Sequence, residues 1–342
     1  MPKLKTVGKS LSELPSELPP ELRGPDWVQA NPRLIQEHLD HALALPTGGW
    51  HAIDGSRAIG DRPRPYLIAG LELVAWRAEG ELRVAPDACP HMGARLSDGH
   101  VRKGRLVCPW HGLELGDGRH GAWCPLETFD DGVLSWVRIA ADDAEPADRP
   151  ILSPRPASFI DSVMRMEAAC EPRDVIANRL DPWHGVHYHP HTFKRLRVIG
   201  ILEDRLLVRV VYGLGDRIGI EVDATFHCPD ARTITMTIVD GEGTGSVVET
   251  HATPLGNGRT AILEATLATS ERPGFRRAAK AAGLIRLFIL QAQRKLWAED
   301  AAYAERMYAL RRAASNAGAA GPAAKAEPER QASGAWNRSS SS

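Results

Sequence analysis

Cysteine is scarce in this 342-residue chain, which has only Cys89, Cys108, Cys124, Cys170 and Cys228. Five scattered thiols exclude a disulfide framework and fit a reducing, cytoplasmic setting. A charge excess is also missing: the formal net charge is −1, so no basic field points to nucleic acid as a partner. Long apolar runs are absent. The most apolar late stretch, Gly283 to Leu290, is short and holds Arg286, so it cannot span a bilayer. Residues 1–30 carry Lys3, Lys5 and Lys9 among Glu and Pro, without an apolar core or twin arginine, and so lack a targeting signal. A cytoplasmic protein is expected, peripheral to a membrane if its substrate is a lipid. A dinucleotide fingerprint is lacking too. Gly241-Glu242-Gly243-Thr244-Gly245 has Ser246 where the last glycine would stand, and it lies among strand patterns, so it reads as a turn. No internal repeat is found. What remains, 43% hydrophobic and 25% charged residues, is ordinary globular material, long enough for two domains with their own cores.

Against this background two short stretches stand out, Cys89-Pro90-His91 and Cys108-Pro109-Trp110-His111, with sixteen residues between His91 and Cys108. Each supplies one Cys and one His. Two thiolates and two imidazoles suit a Rieske [2Fe-2S] centre, in which the sulfurs hold the buried iron and the neutral imidazoles the outer one. A structural Cys2His2 zinc site uses the same ligand types, but zinc knuckles usually pair Cys with Cys and His with His. The flanking strand signals agree with a β-mounted centre: Tyr66 to Arg77 reads as two strands around a glycine turn, Leu82 to Ala85 leads into the first loop, Leu106-Val107 into the second, and Val133 to Ile139 returns as a strand.

Cys89-Pro-His-Met-Gly-Ala-Arg-Leu-Ser-Asp-Gly followed by Cys108-Pro-Trp-His-Gly resembles the Rieske domain of Rieske non-heme iron oxygenases. Rieske proteins of cytochrome bc complexes carry an extra Cys in each loop. Here Met92, Gly93 and Ala94 follow His91, and Trp110 precedes His111, which favours the oxygenase type. Trp110 is expected to pack over the cluster and limit water.

In chain order, residues 1–48 read as an N-terminal arm, Pro-broken up to residue 25 and extended or disordered, then a short helix at 32–45. Residues 49–145 read as the Rieske domain and 146–157 as a Pro-rich linker. Residues 158–312 read as a catalytic domain and 313–342 as a disordered tail ending in four Ser. In the second domain strands are expected at 196–202, 205–212, 218–228, 232–239, 246–253 and 260–269. Ile218, Ile220, Val222, Ala224 and Phe226 would share one buried face, as would Ile234, Met236 and Ile238. A helical pattern follows from about Phe275 to Arg312, broken once or twice. The resemblance implies an α+β fold, an all-β Rieske domain joined to a helix-grip (START-like) antiparallel-sheet domain with a long C-terminal helix.

The other conspicuous stretch is Asn178-Arg-Leu-Asp-Pro-Trp-His-Gly-Val-His-Tyr-His-Pro-His, with His184, His187, His189 and His191. Non-heme Fe(II) oxygenases use two His and one carboxylate, leaving positions open for O2 and substrate. Spacing alone leaves the pair open. His184 and His187 share a helix face, whereas His184 and His189 require the helix to end or unwind between them, which Gly185 makes cheap. The family shows an Asp, two residues, a His, four residues and a second His. Asp181, His184 and His189 match that order, so the resemblance implies His184 and His189 as ligands with His187 as the alternative, and His191 as a surrounding or surface residue. It places the third ligand on the last helix, where Asp300 matches and Glu299 is the neighbour most easily confused with it. It also implies that Asp181 bridges His184 to His111 of a neighbouring subunit in a head-to-tail homotrimer. Asn178 matches a position near the iron, although a helix N-cap role is equally compatible.

The implied activity is that of an oxidoreductase: O2-dependent hydroxylation of a hydrophobic small molecule, such as a terpenoid, carotenoid, sterol or aromatic, by a [2Fe-2S] Rieske cluster and a mononuclear Fe(II). Monooxygenation is expected, as in chlorophyllide, steroid-ring and demethylating enzymes, with cis-dihydroxylation as the alternative. Electrons would come from a separate ferredoxin or flavin reductase. Ile220, Val222, Phe226, Met236, Ile238, Leu284, Leu287 and Phe288 are the expected pocket lining. The alternatives are a Rieske electron carrier or a hydrophobic-ligand binding protein without oxygenase activity.

Overall fold

The computed structural model describes residues 5–7, 29–139, 146–202, 204–214, 218–272, 274–275 and 282–319. Most of the expected arm, and the tail beyond 319, lie outside these. Of the arm, Lys5–Val7 forms β1. Helix α1 (Pro32–Leu43) begins where Asn31 caps it, its side chain accepting from the Arg33 N–H at 3.0 Å. It buries Leu39 and Ala42.

The next stretch is all-β: β2 (Trp50–Gly55), β3 (Arg64–Ile68), β4 (Leu71–Ala78), β5 (Glu81–Pro86), β6 (His100–Arg102), β7 (Arg105–Val107), β8 (Glu114–Leu115), β9 (Thr128–Asp130) and β10 (Leu134–Arg138). They form antiparallel sheets ordered β2-β10-β9, β3-β4-β5 and β6-β7-β8. Trp76, Leu96, Leu106 and Leu115 pack with Cys89 and Cys108 beneath the two Cys/His loops.

The second half is one large sheet with helices on one side. Its elements are β11 (Ile160–Ala168), α2 (Pro172–Arg179), α3 (His184–Tyr188), β12 (Phe193–Ile201), β13 (Arg205–Leu214), β14 (Ile218–Asp230), β15 (Thr233–Gly241), β16 (Val247–Gly256), β17 (Arg259–Ala268) and α4 (Ala282–Ala319). The antiparallel order is β11-β17-β16-β15-β14-β13-β12. β1 joins in parallel at Ile218–Ile220, the part of β14 that β15 does not reach.

Three expectations change. β11 was not among the expected strands, because Asp161 interrupts its apolar pattern. That carboxylate is buried and pairs with Arg57 and Arg286. β16 and β17 are buried on both faces rather than one. α2 and α4 cover one face, and on the other Leu255, Ala261 and Leu263 pack against Trp50 and Trp136 of the first domain. Helix α4 runs on to residue 319, seven residues into the expected tail, since no proline falls inside it; the start of the expected helical stretch, at 276–281, lies outside the described residues. Among the described residues no helix is long and apolar enough to cross a membrane.

Candidate metal centres

The two Cys/His loops share one build. In the first, the Cys89 N–H donates to the Ala94 carbonyl (2.9 Å) and the Gly93 N–H donates back to the Cys89 carbonyl (2.8 Å). In the second, Cys108 donates to Leu113 (2.9 Å) and Gly112 to Cys108 (3.0 Å). This winding aims the N–H groups of His91 and Met92 at the Cys89 sulfur, and those of Trp110 and His111 at the Cys108 sulfur. Such donors stabilise thiolate charge. Both cysteines are buried, whereas His91 and His111 are exposed with ring centroids 4.9 Å apart. Two sulfurs in contact behind two outward imidazoles fit a [2Fe-2S] cluster with its sulfur-held iron inside. Trp110 lies beside the outer ligand position, its ring centroid 6.5 Å from that of His111. It is 61% exposed, and Met92 is 63% exposed, because both sit at the loop tips and point away from the core. Of the other cysteines, Cys170 is buried, and Cys124 and Cys228 are half-buried.

The second centre is assembled from three places. Helix α2 carries Asn178 near its end, α3 begins at His184, and α4 brings Asp300 across. The His184, His189 and Asp300 ligand atoms all lie within 4.8 Å of one another. Asp300 Oδ1 lies 3.0 Å from His184 Nε2 and 2.8 Å from His189 Nε2. The opposite ring nitrogens are already used: His184 Nδ1–H donates to the Asp181 carbonyl, and His189 Nδ1–H donates to Glu299 Oε2 at 2.5 Å. In the neutral tautomers so fixed, both Nε2 lone pairs face a carboxylate oxygen, an arrangement that a cation between them resolves. Asp300 Oδ2 has no hydrogen-bond partner among the described residues. The donor set of two imidazoles and one carboxylate fits a mononuclear Fe(II).

His187 is exposed and outside this group. His191 Nε2 sits 3.8 Å from Glu299 Oε2. The chain departs from helix at His189, which has φ −121° and ψ 53°, and not at Gly185. Gly185 is needed for close approach instead, since a Cβ there would meet Phe193 Cδ2 at 3.1 Å and Leu196 Cδ1 at 3.2 Å. Asn178 is no N-cap; that place belongs to Glu171. Its amide donates to Asp300 Oδ1 at 3.1 Å. The Asp181 carboxylate is 3.8 Å from His184 Nδ1, so the bond to that imidazole is made by its backbone carbonyl instead. Asp181 Oδ2 accepts from the Tyr303 hydroxyl (3.2 Å), and buried Oδ1 has no partner among the described residues. Burial raises the Asp181 pKa. Tyr303 also stacks on His184, with centroids 5.3 Å apart at 28°. The sequence reading passed over Glu299 as a partner of His189, and also Tyr303. Tyr303 lies three residues after Asp300, on the same helix face, and that spacing was the available signal.

An apolar cavity of about 280 Å³ opens next to this centre, walled on that side by Arg179 and Phe193, which neighbour Asp300 and His189. Phe226, Met236 and Phe288 line it as expected, but Ile220, Val222, Ile238, Leu284 and Leu287 do not. Leu284 and Leu287 are exposed on the outer face of α4, and Val222 belongs to the core between sheet and helices. One wall is polar: Arg179, Glu264, Thr266 and Gln293. Burial raises the Glu264 pKa. Glu264 Oε2 accepts from Trp297 Nε1 at 2.7 Å.

Residues 141–315 match the family described as "Domain of unknown function (DUF5914)", and residues 49–128 match the "Rieske [2Fe-2S] domain". Over 73 residues the chain is 40% identical to the vanillate O-demethylase oxygenase subunit of Pseudomonas sp. (strain HR199 / DSM 7063); the match covers 21% of this chain and 21% of that protein. Dicamba monooxygenase bound to dicamba aligns with a TM-score of 0.57 at 18% identity, over 81% of this chain and 91% of that one. The terminal oxygenase of carbazole 1,9a-dioxygenase from Novosphingobium sp. KA1 aligns at 0.55 and 15%, over 81% and 88%. The chain therefore has the fold of Rieske oxygenases.

Proposed function

Since the chain belongs to the DUF5914 family and carries a Rieske [2Fe-2S] domain ahead of that region, we propose that it is a Rieske-type oxygenase that hydroxylates a hydrophobic small molecule. Cys89, His91, Cys108 and His111 hold the cluster, and His184, His189 and Asp300 hold the iron. When bound, the cluster supplies single electrons and the ferrous iron activates O2 beside the substrate. The observation that carries this reading is the convergence of both Nε2 atoms on Asp300 at the edge of an apolar cavity. A pure electron carrier has no use for such a trio.

The protein's own residues orient and insulate this centre. Asn178 donates to Asp300 Oδ1, the oxygen that both Nε2 atoms face, and Glu299 fixes His189 through Nδ1, the ring nitrogen that faces away from the metal position. Phe193 packs near His189 and lines the cavity, limiting water there. Asp181 bridges the centres: its free Oδ1 takes an N–H from His111 of a neighbouring subunit, while Tyr303 holds Oδ2. Exposed Trp110 and Met92 beside His111 and His91 supply apolar surface for that contact, and a head-to-tail homotrimer follows. A separate ferredoxin or flavin reductase delivers the electrons.

With a surrogate ferredoxin and reductase, O2 uptake coupled to a hydroxylated product is expected for apolar test compounds. Asp181→Asn should keep both metals and lower the product rate at least about tenfold, as for loss of a partner that orients metal ligands. Unchanged turnover in that variant would refute the bridge. Wild-type O2 uptake that never exceeds the donor-only background would refute the oxygenase.

A further inference from the structure

Arg179 ends helix α2 one residue after Asn178 and faces into the cavity. Its side chain is 13% exposed. Among the described residues no acceptor lies within hydrogen-bonding distance of its guanidinium. The nearest carboxylate oxygens are Glu264 Oε2 at 3.6 Å and Asp300 Oδ2 at 4.0 Å, and the Trp297 ring lies under it with 5.6 Å from Cζ to the centroid. Glu264 Oε2 is already taken by the Trp297 indole N–H at 2.7 Å. A guanidinium carries five donors in a rigid fork and is costly to shelter without acceptors. The rest of the wall supplies few: Phe193, Leu196, Val210, Phe226 and Val248 are apolar.

We propose, building on the oxygenase reading, that the substrate is an apolar molecule bearing a carboxylate, and that Arg179 binds this group through paired N–H donors. A carboxylate matches the fork with two parallel bonds, which neither a lone hydroxyl nor a carbonyl can supply. Thr266 and Gln293 flank the same wall and add polar neighbours. The Arg179–Asp300 distance of 4.0 Å puts this head group at the metal end of the cavity. The apolar body then fills the space between Phe226, Met236 and Phe288. Tyr212, buried in the same wall, donates to Met236 Sδ at 3.5 Å and is not needed for the head group. Arg179 thus serves as a specificity residue, not as an iron ligand.

The test is equilibrium binding to the iron-loaded, reduced protein without O2, read by calorimetry. Aromatic and medium-chain aliphatic monocarboxylates are each compared with their primary amide and methyl ester. The carboxylates are expected to bind about 10- to 100-fold more tightly than their neutral partners, the usual worth of hydrogen bonds to a charged group. Arg179→Gln should erase that preference while leaving the affinity for the neutral members within about threefold, and Arg179→Lys should restore part of it by charge alone. Equal binding of acids and amides, or no acid bound anywhere in the panel, would overturn the proposal. The comparison within the unmodified protein needs no variant to fold. Because no turnover is measured, the two readings fail separately. Oxygenation of neutral compounds with no acid preference sinks the carboxylate alone, whereas tight acid binding without oxygenation sinks the oxygenase alone.

Discussion

At the scale of single residues, the metal ligands are legible because metal chemistry restricts residue types. Few other sites want a Cys and a His in each of two loops, or an Asp, His, His series with a distant carboxylate. The residues that hold those ligands are less legible, because any polar side chain of the right reach will serve. Glu299 could be weighed only as a rival to Asp300. In the structure it is the acceptor for His189 Nδ1 and fixes which ring nitrogen faces inward. Replacing it with Gln should therefore leave the Rieske spectrum unchanged and weaken mononuclear iron binding about 10- to 100-fold, measured by chelator competition. Iron affinity equal to wild type would mean that His189 is oriented by its packing alone. Arg179 gave no signal at all: an Arg next to an Asn in a helix is ordinary until a cavity opens beside it.

At the scale of elements, the core faces of β14 and β15 were legible from alternation, with Val222, Ala224, Phe226, Ile234 and Met236 buried, but Ile218 at the start of β14 is 46% exposed and Asp223 and Thr235 on the other face are buried too. β11 was not legible, since a buried Asp161 satisfied by two arginines breaks the apolar pattern. The turn between β16 and β17 was equally silent about its partner. It meets the β3–β4 turn of the first domain, where the N–H groups of Ala69 and Gly70 donate to the carbonyls of Pro254 (2.7 Å) and Leu255 (3.0 Å). Gly256 sits there with φ +97°, and a Cβ would come within 3.2 Å of Gly70 Cα. The obstruction is backbone, which cannot swing aside. Gly256→Ala is expected to cost about 2–4 kcal/mol, from strained φ together with overpacking. Urea unfolding measures it, and a cost below about 0.5 kcal/mol, typical of an open surface site, would show that the two turns separate easily.

At the scale of the molecule, the two domains are joined through buried charge as well as apolar surface, and composition could not reveal which charges meet. Arg232 of the large sheet donates to the Trp50 carbonyl and to His51 Nε2, both at 2.6 Å. Arg155 grips Glu249 through two bonds of 2.6 Å and reaches Asp131 at 3.1 Å. Burial, and then the Arg232 charge, push His51 down to about 3 from 6.5. The unfolded chain therefore takes up a proton near pH 6.5 that the folded protein refuses until about pH 3. The stability this residue contributes is complete above pH 6.5 and is lost as pH falls through that window, by about 1.4 kcal/mol per unit. His51→Gln keeps an acceptor for Arg232 and should flatten the fall in urea midpoint between pH 6.5 and 4.5. An equally steep fall in the variant would place the acid sensitivity elsewhere.

The central claim is that one chain holds both a Rieske cluster and a separate iron. Metal analysis, read together with the electron paramagnetic resonance of the reduced cluster, tests it most directly. The expected result is about three irons per chain in the wild type and about two in His184→Ala, with the Rieske signal identical in both. Two irons in the wild type, or loss of the Rieske signal along with the iron in His184→Ala, would contradict it.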